Sequence, residues 1–318
     1  MSIDHLQIKQ STITDGKLQA SNGDSKSNQP AELVHLDPWQ KLKEYTDSRI
    51  ALGRVGCSIP TKPLLKFQLD HAEAKDAVLQ ALDVDALMVD LSKCCNITLQ
   101  ELDIESVAKD SRENNKQEQA DGLLQLFKVM SQAENKSDYL KRPDWGRLLS
   151  TDSATKLERF GNHKSYDVVI VMGDGLSARA IAENGPKLVA ELIFLFKEEG
   201  WSIAPLVIAT GSRVALGDEI AERLNAKMLV MLIGERPGLS SPDSLGIYYT
   251  WNAQSSSHDA MRNCISNIRT AGLPIRVAAS RLLALMKKSH QLKLSGVELK
   301  DEQELPIVDQ SQPAIKLL

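Results

Sequence analysis

Three apolar runs in the second half of this chain constrain its fold more than any other feature. "DVVIVM", "WSIAPLVIAT" and "KMLVMLIG" are short, rich in aliphatic side chains and nearly free of charge. Such runs suit strands that are buried on both faces of a parallel sheet. Between them lie "GDGLSARAIAENGPKLVAELIFLFKEEG" and "GSRVALGDEIAERLNA", each a turn followed by a helical stretch. A strand, helix, strand, helix, strand order calls for right-handed crossovers, with helices on both faces of one sheet. Residues 151–318 are therefore expected to form a Rossmann-like parallel-sheet domain of the α/β class.

The preceding stretch reads differently. Residues 31–150 are expected to form a mostly helical N-terminal domain with irregular breaks. Within it, "TKPLLKFQLDHAEAKDAVLQAL" carries Leu65, Leu69, Ala72, Ala77 and Leu79 at spacings close to helical, with charges on the other side. The polar "KDSRENNKQEQADG" reads as a solvated loop or helix end. Residues 1–30 are rich in Ser, Asn, Gln, Asp and Lys, so they bury too little apolar surface to offset chain entropy and are expected to be a flexible arm.

Charge and composition narrow the partners. The chain has 38 basic and 42 acidic residues, a net charge of -4 and only 4% aromatics, so nucleic acid is not an expected ligand. No apolar run reaches the roughly 20 residues of a membrane span, and the N-terminus lacks the pattern of a secretory signal. A cytoplasmic chain without a membrane partner is expected. Cys57, Cys94, Cys95 and Cys264 form no C-x-x-C pair, so they read as reduced thiols and not as a metal site.

In an open parallel sheet the strand-to-helix turns meet at the carboxyl edge, where ligands bind. Three turns belong there: "GDGLSA" (173–178), "TGSRVALGD" (210–218) and "GERPGLSSPDS" (234–244). The last sets Glu235 and Arg236 side by side ahead of Pro237, as a ligand contact or a structural ion pair. Asp174 could serve simply to cap the next helix. Neither G-x-G-x-x-G nor G-x-x-x-x-G-K-[ST] occurs. "GDGLSA" has a glycine, Gly175, where Gly-Asp-Ser-Leu hydrolases carry their nucleophile, and Ser177 would need a His and an acid to replace it. By default Cys264 would be a small buried hydrophobe, and His258 and Asp259 part of a helix cap. The residues alone leave open a free-standing α/β enzyme, a nucleotide-binding domain using "GDGLSA" as a phosphate turn, or a catalytically silent assembly scaffold.

"LIGERPGLSSPDSLGIYYT" together with "RNCISNIR" closely resembles the ethanolamine ammonia-lyase small (light) subunit family. The likeness runs through "SRIALGRVG", "FQLDHAEAKDAV", "YLKRPDWGRLL", "GDGLSA", "SRVALGD" and "SGVELK", from about Arg49 to Lys300. It implies a subunit of an adenosylcobalamin-dependent lyase that converts ethanolamine to acetaldehyde and ammonia. The large subunit would hold ethanolamine in a barrel, and the small subunit would help clasp adenosylcobalamin at the interface of a hetero-oligomer. The resemblance places cobalamin contacts on Val214, Glu235 and Cys264 and implies no catalytic residue and no protein-held metal in this chain. It departs from the family in the segment before "YLKRPDWG", which is long and holds Cys94 and Cys95. A bacterial microcompartment is a second address implied by the resemblance, although "IDHLQIKQ" is polar for the amphipathic helix that directs relatives there.

Overall fold

A computed structural model describes residues 37–46, 48–102, 123–161 and 164–300. The proposed arm, residues 1–30, lies outside the described residues, as does "KDSRENNKQEQADG". The fold is α/β, built on a mixed sheet of seven strands in the order β1-β2-β4-β3-β5-β6-β7. The strands are β1 (Thr98–Glu101), β2 (Leu123–Met130), β3 (Tyr166–Gly173), β4 (Leu206–Thr210), β5 (Ala226–Gly234), β6 (Leu245–Trp251) and β7 (Arg262–Ile268). The first five in that order run parallel, β6 adds antiparallel to β5, and β7 adds antiparallel to β6.

The three apolar runs lie in β3, β4 and β5. β3 is central, with Val171 opposite Val207 of β4 and Val169 opposite Leu229 of β5. Strand alternation then sends side chains to two separate layers. Val168, Ile170 and Met172 meet Leu188, Leu192 and Phe196 of α5 (Ala178–Glu198) and Leu282 and Met286 of α7 (Ile275–Leu292). Val169, Val171, Leu229 and Met231 meet Leu157 and Phe160 of α4 (Thr151–Gly161) and Leu216 and Ile220 of α6 (Leu216–Arg223). β3 thus feeds a helix on one face while β4 feeds a helix on the other, which makes the β3–β4 junction the switch point of the sheet.

The described part of residues 31–150 mixes helices with strands. They do hold α1 (Thr61–Leu79), α2 (Val84–Cys95) and the short α3 (Lys136–Lys141), but they also supply β1 and β2 to the common sheet. Leu126 of β2 pairs with Leu206 of β4, and Leu87 and Leu91 of α2 join the α5 layer. The apolar stripe of α1 also departs from expectation. Ala74 and Ala77 are buried, whereas Leu65, Leu69, Ala72 and Leu79 face outward. No helix among the described residues is long and apolar enough to cross a membrane.

Phe127 of β2 is fully buried and meets Phe160 of α4 edge to face, with ring centroids 5.1 Å apart. Phe127→Ala should lower the unfolding free energy by about 3–5 kcal/mol. Urea denaturation followed by both fluorescence and circular dichroism should show one shifted transition, because β2 belongs to the common core. An early, separate loss of signal would contradict that.

Candidate functional site

At the switch point the carboxylate of Asp174 engages the backbone of the neighbouring turn. It is buried, and it accepts hydrogen bonds from the backbone N–H of Gly211 at 3.0 Å and of Ser212 at 2.9 Å. Burial raises its pKa, while those two donors, the N–H of Gly175 and the charge of Lys136 act in the opposite direction. Asp174 is therefore a clamp between the β3 and β4 turns. The helix cap expected of it is supplied by Ser177, whose Oγ accepts from Ala180 N at 3.1 Å and donates to Pro242 O at 2.7 Å. Both roles leave Ser177 buried and occupied, a poor nucleophile. Within "GDGLSA" itself the N–H of Asp174 donates to Ala209 O, that of Leu176 to Gly234 O and that of Gly175 to the Asp174 carboxylate, so these donors of the turn are already engaged, which argues against it as a phosphate turn.

Lys136, on α3, tightens the same junction. Its Nζ donates to Gly175 O at 3.0 Å and lies over the Tyr139 ring, with the Arg213 guanidinium over that ring as well. Gly175 itself takes φ of +56°, and a Cβ there would come within 2.3 Å of Gly234 O. A side chain at 175 would push the β3 turn away from the end of β5.

The open surface lies beside this junction, on β6 and β7. In β6, Leu245, Ile247 and Tyr249 point into the α7 layer. The alternate residues Gly246 and Tyr248 take the opposite face, where Tyr248 pairs in register with Cys264 of β7. α4 and α6 cover that face over the central strands, yet Cys264 and Ser266 remain exposed. Cys264 is accordingly not the buried hydrophobe expected by default. All four cysteines are free thiols. Tyr248 is pushed up to about 12, first by burial and then by Cys264 and Glu235, so it remains a neutral phenol at physiological pH.

Glu235 reaches over this surface from the end of β5. Its Oε2 accepts from Ser244 Oγ at 2.5 Å and Asn267 N at 3.2 Å, and its Oε1 accepts from Ser266 Oγ at 2.6 Å. The carboxylate thus ties the exit of β5 to the start of β6 and the end of β7. The expected pairing with Arg236 is absent among the described residues, and Arg236 is exposed. Gly246 lies beneath, where a Cβ would approach Glu235 Oε1 to 2.9 Å. Val214 follows Arg213 in the β4 turn and packs, half-buried, against the same core layer as Tyr248. Val214, Glu235 and Cys264 therefore share one side of the sheet near its carboxyl edge.

Sequence reasoning missed Tyr248, Ser266 and Ser244. Only the alternation of "LGIYYTW", had it been read as a strand, carried a signal for them. It also missed Arg262 and Asp218, a buried ion pair joining β7 to α6. Burial pushes Asp218 up to about 6 against the pull of Arg262. Asp259, read as part of a cap, adds a second contact to Arg262 at 3.0 Å. The "GERPGLSSPDS" turn is pinned beyond Ser177: Asn184 Nδ2 donates to Asp243 O at 2.9 Å and Arg269 Nη1 to Ser240 O at 3.2 Å.

Asp174→Ala would strand the N–H groups of Gly211 and Ser212 in a buried site. Stability should fall by about 2–5 kcal/mol, the desolvation penalty of two unpaired donors. Equilibrium unfolding would check the loss, and amide exchange at Gly211 and Ser212 should accelerate relative to the β3 core.

Comparison with known proteins bears on what this surface serves. The family described as ethanolamine ammonia-lyase light chain matches residues 36–300. A protein of Ralstonia nicotianae is 40% identical over 291 residues, covering 90% of this chain and 96% of that protein. One of Pseudomonas fluorescens strain Pf0-1 is 42% identical over 275 residues (86% and 90%), and one of Azotobacter vinelandii 43% identical over 277 residues (86% and 92%). All three are called ethanolamine ammonia-lyase small subunit. With the match spanning the whole sheet and both flanking helical layers, the chain belongs to the ethanolamine ammonia-lyase light chain family.

Proposed function

We propose that this chain is the small subunit of an adenosylcobalamin-dependent ethanolamine ammonia-lyase, which converts ethanolamine to acetaldehyde and ammonia. It assembles with a large subunit into a hetero-oligomer and helps bind the cofactor at their interface. The proposed contacts are Val214, Glu235 and Cys264. The catalytic residues belong to the large subunit. The parallel part of the sheet is then a Rossmann-like scaffold, preceded by an accessory N-terminal unit and working in the cytoplasm or in a bacterial microcompartment.

The observation that carries this reading is the state of the Glu235 carboxylate. A carboxylate offers about four acceptor positions. Ser244, Asn267 and Ser266 take three, two on Oε2 and one on Oε1, which leaves Oε1 able to accept one more N–H. The surface beside it carries the small, exposed side chains of Cys264 and Ser266, so a broad ring fringed with amides can approach closely. These features fit a corrin, an apolar macrocycle whose periphery carries amide donors. When bound, adenosylcobalamin supplies radical chemistry through its organometallic bond. This chain's residues would orient the macrocycle: Glu235 by accepting an amide proton, Val214 and Cys264 by apolar contact. Tyr248, neutral and packed against the core, stiffens the sheet beneath Cys264.

Glu235→Ala removes a charge-assisted contact worth roughly 1.5–3 kcal/mol, so cobalamin affinity in the assembled enzyme should fall about tenfold to hundredfold. Because the same carboxylate joins β5, β6 and β7, the melting temperature should drop as well. Titrating corrinoid absorbance against the purified complex measures the affinity, and an unchanged value would remove Glu235 from the site. The chain without its large subunit should show no ethanolamine turnover with or without added adenosylcobalamin. Turnover by the isolated chain at the rate of the complex would overturn the assignment of catalysis to the partner.

A further inference from the structure

The outward face of α1 is apolar and has no cover among the described residues. Leu64, Leu65, Leu69 and Leu79 are between 41% and 59% exposed, and Ala72 is exposed between them. The inward face holds Ala74 and Ala77, together with Asp70, whose carboxylate is engaged by Arg49 at 2.5 Å. The usual arrangement of a surface helix is thus reversed, with the leucines turned to solvent and a charge pair turned toward the body.

The spacing is informative. Leu65, Leu69, Ala72, Asp76 and Leu79 follow one another at intervals of four, three, four and three. That is the repeat that lets one helix pack along another, side chains of each entering gaps of the other. The exposed apolar side chains present on the order of 450 Å², close to the apolar share of one side of a standard interface, about 57% of roughly 800 Å². A membrane-surface helix would instead set a Lys/Arg-rich face beside its apolar one. Here α1 carries Lys62, Lys66 and Lys75 against Asp70, Glu73 and Asp76, with no excess of positive charge and with one of the acids inside the stripe.

We infer that α1 is a docking helix for the large subunit, which lays an apolar helix along the Leu65, Leu69, Ala72 and Leu79 seam. Ala72 lets the two backbones approach closely, and Asp76 fixes the register by demanding a donor or a cation from the partner helix. This rests on the large-subunit partner of the reading above and is independent of the cofactor contacts.

The test is the double variant L65D/L69D, in the full chain, titrated against the large subunit, with V297D as the control, since Val297 is an exposed apolar residue far along the chain. Both leucines are exposed, so the isolated double variant should keep the wild-type circular dichroism and urea midpoint. Burying two unpaired carboxylates should weaken assembly by about 100-fold or more, while V297D keeps the wild-type affinity. At large-subunit concentrations high enough to force assembly, the double variant should still bind cobalamin as wild type does, whereas Glu235→Ala should not. Unchanged affinity of L65D/L69D for the large subunit would overturn the inference, as would an equal loss in V297D. Self-association of the isolated wild-type chain that the double variant abolishes, with large-subunit affinity intact, would assign the seam to a second copy and also overturn it. Leucine-dependent binding to anionic vesicles with large-subunit affinity intact would do the same. If the wild-type chain formed no complex with any large subunit, the parent reading would fail before the seam was tested.

Discussion

One buried carboxylate sets the geometry of the whole carboxyl edge. Asp174 leaves β3 and grips the first two N–H groups after β4, so the two turns that diverge at the switch point are held together from inside. A charge in that position is costly to bury, and the cost is offset in part by backbone donors and by Lys136. The consequence is that backbone donors at the crevice where open α/β sheets usually receive a ligand are engaged by the protein's own side chain. The face proposed for recognition lies to the side, on the antiparallel strands.

There Glu235 ties three strands together with the same group that is proposed to meet the ligand. Three protein donors hold its carboxylate and fix its direction before any ligand arrives. The turn that follows is held by Ser177 and Asn184, at the cap and inside α5, and by Arg269 just after β7. Ordering a loop on binding costs free energy, and a loop already ordered avoids that cost. Pro237 adds to this by restricting the backbone just beyond the carboxylate.

How much of this was legible in the sequence follows from how each element is solvated. β3, β4 and β5 could be read because burial on both faces leaves continuous apolar runs. β2 is buried too, but Gln125 and Lys128 interrupt "LLQLFKVM", and its partner β4 lies some 80 residues away. β6 and β7 escaped because one of their faces is open, so "RNCISNIR" looks polar and its cysteine looks like a core residue. On α1 the periodicity was readable but its direction was not, since spacing alone says which residues share a face and not what that face meets. Glu235 and Val214 fell in turns that topology placed at the edge. Cys264 came only through family resemblance, because no local pattern distinguishes an exposed thiol on an edge strand.

The hairpin that carries the open face also determines what sequence change can do to it. In β6 and β7 every second residue, Ile247 and Ile265 among them, belongs to the α7 core, and the intervening ones, Tyr248 and Cys264, belong to the opposite face, the one proposed for recognition. A point substitution at an intervening position can therefore alter ligand preference with little effect on the parallel scaffold. An insertion of one residue would exchange the two sets, exposing isoleucines and burying serine and cysteine. Evolution along this hairpin is thus free in side-chain identity and rigid in length, and drift in specificity should accumulate through replacements while the strand spacing stays frozen.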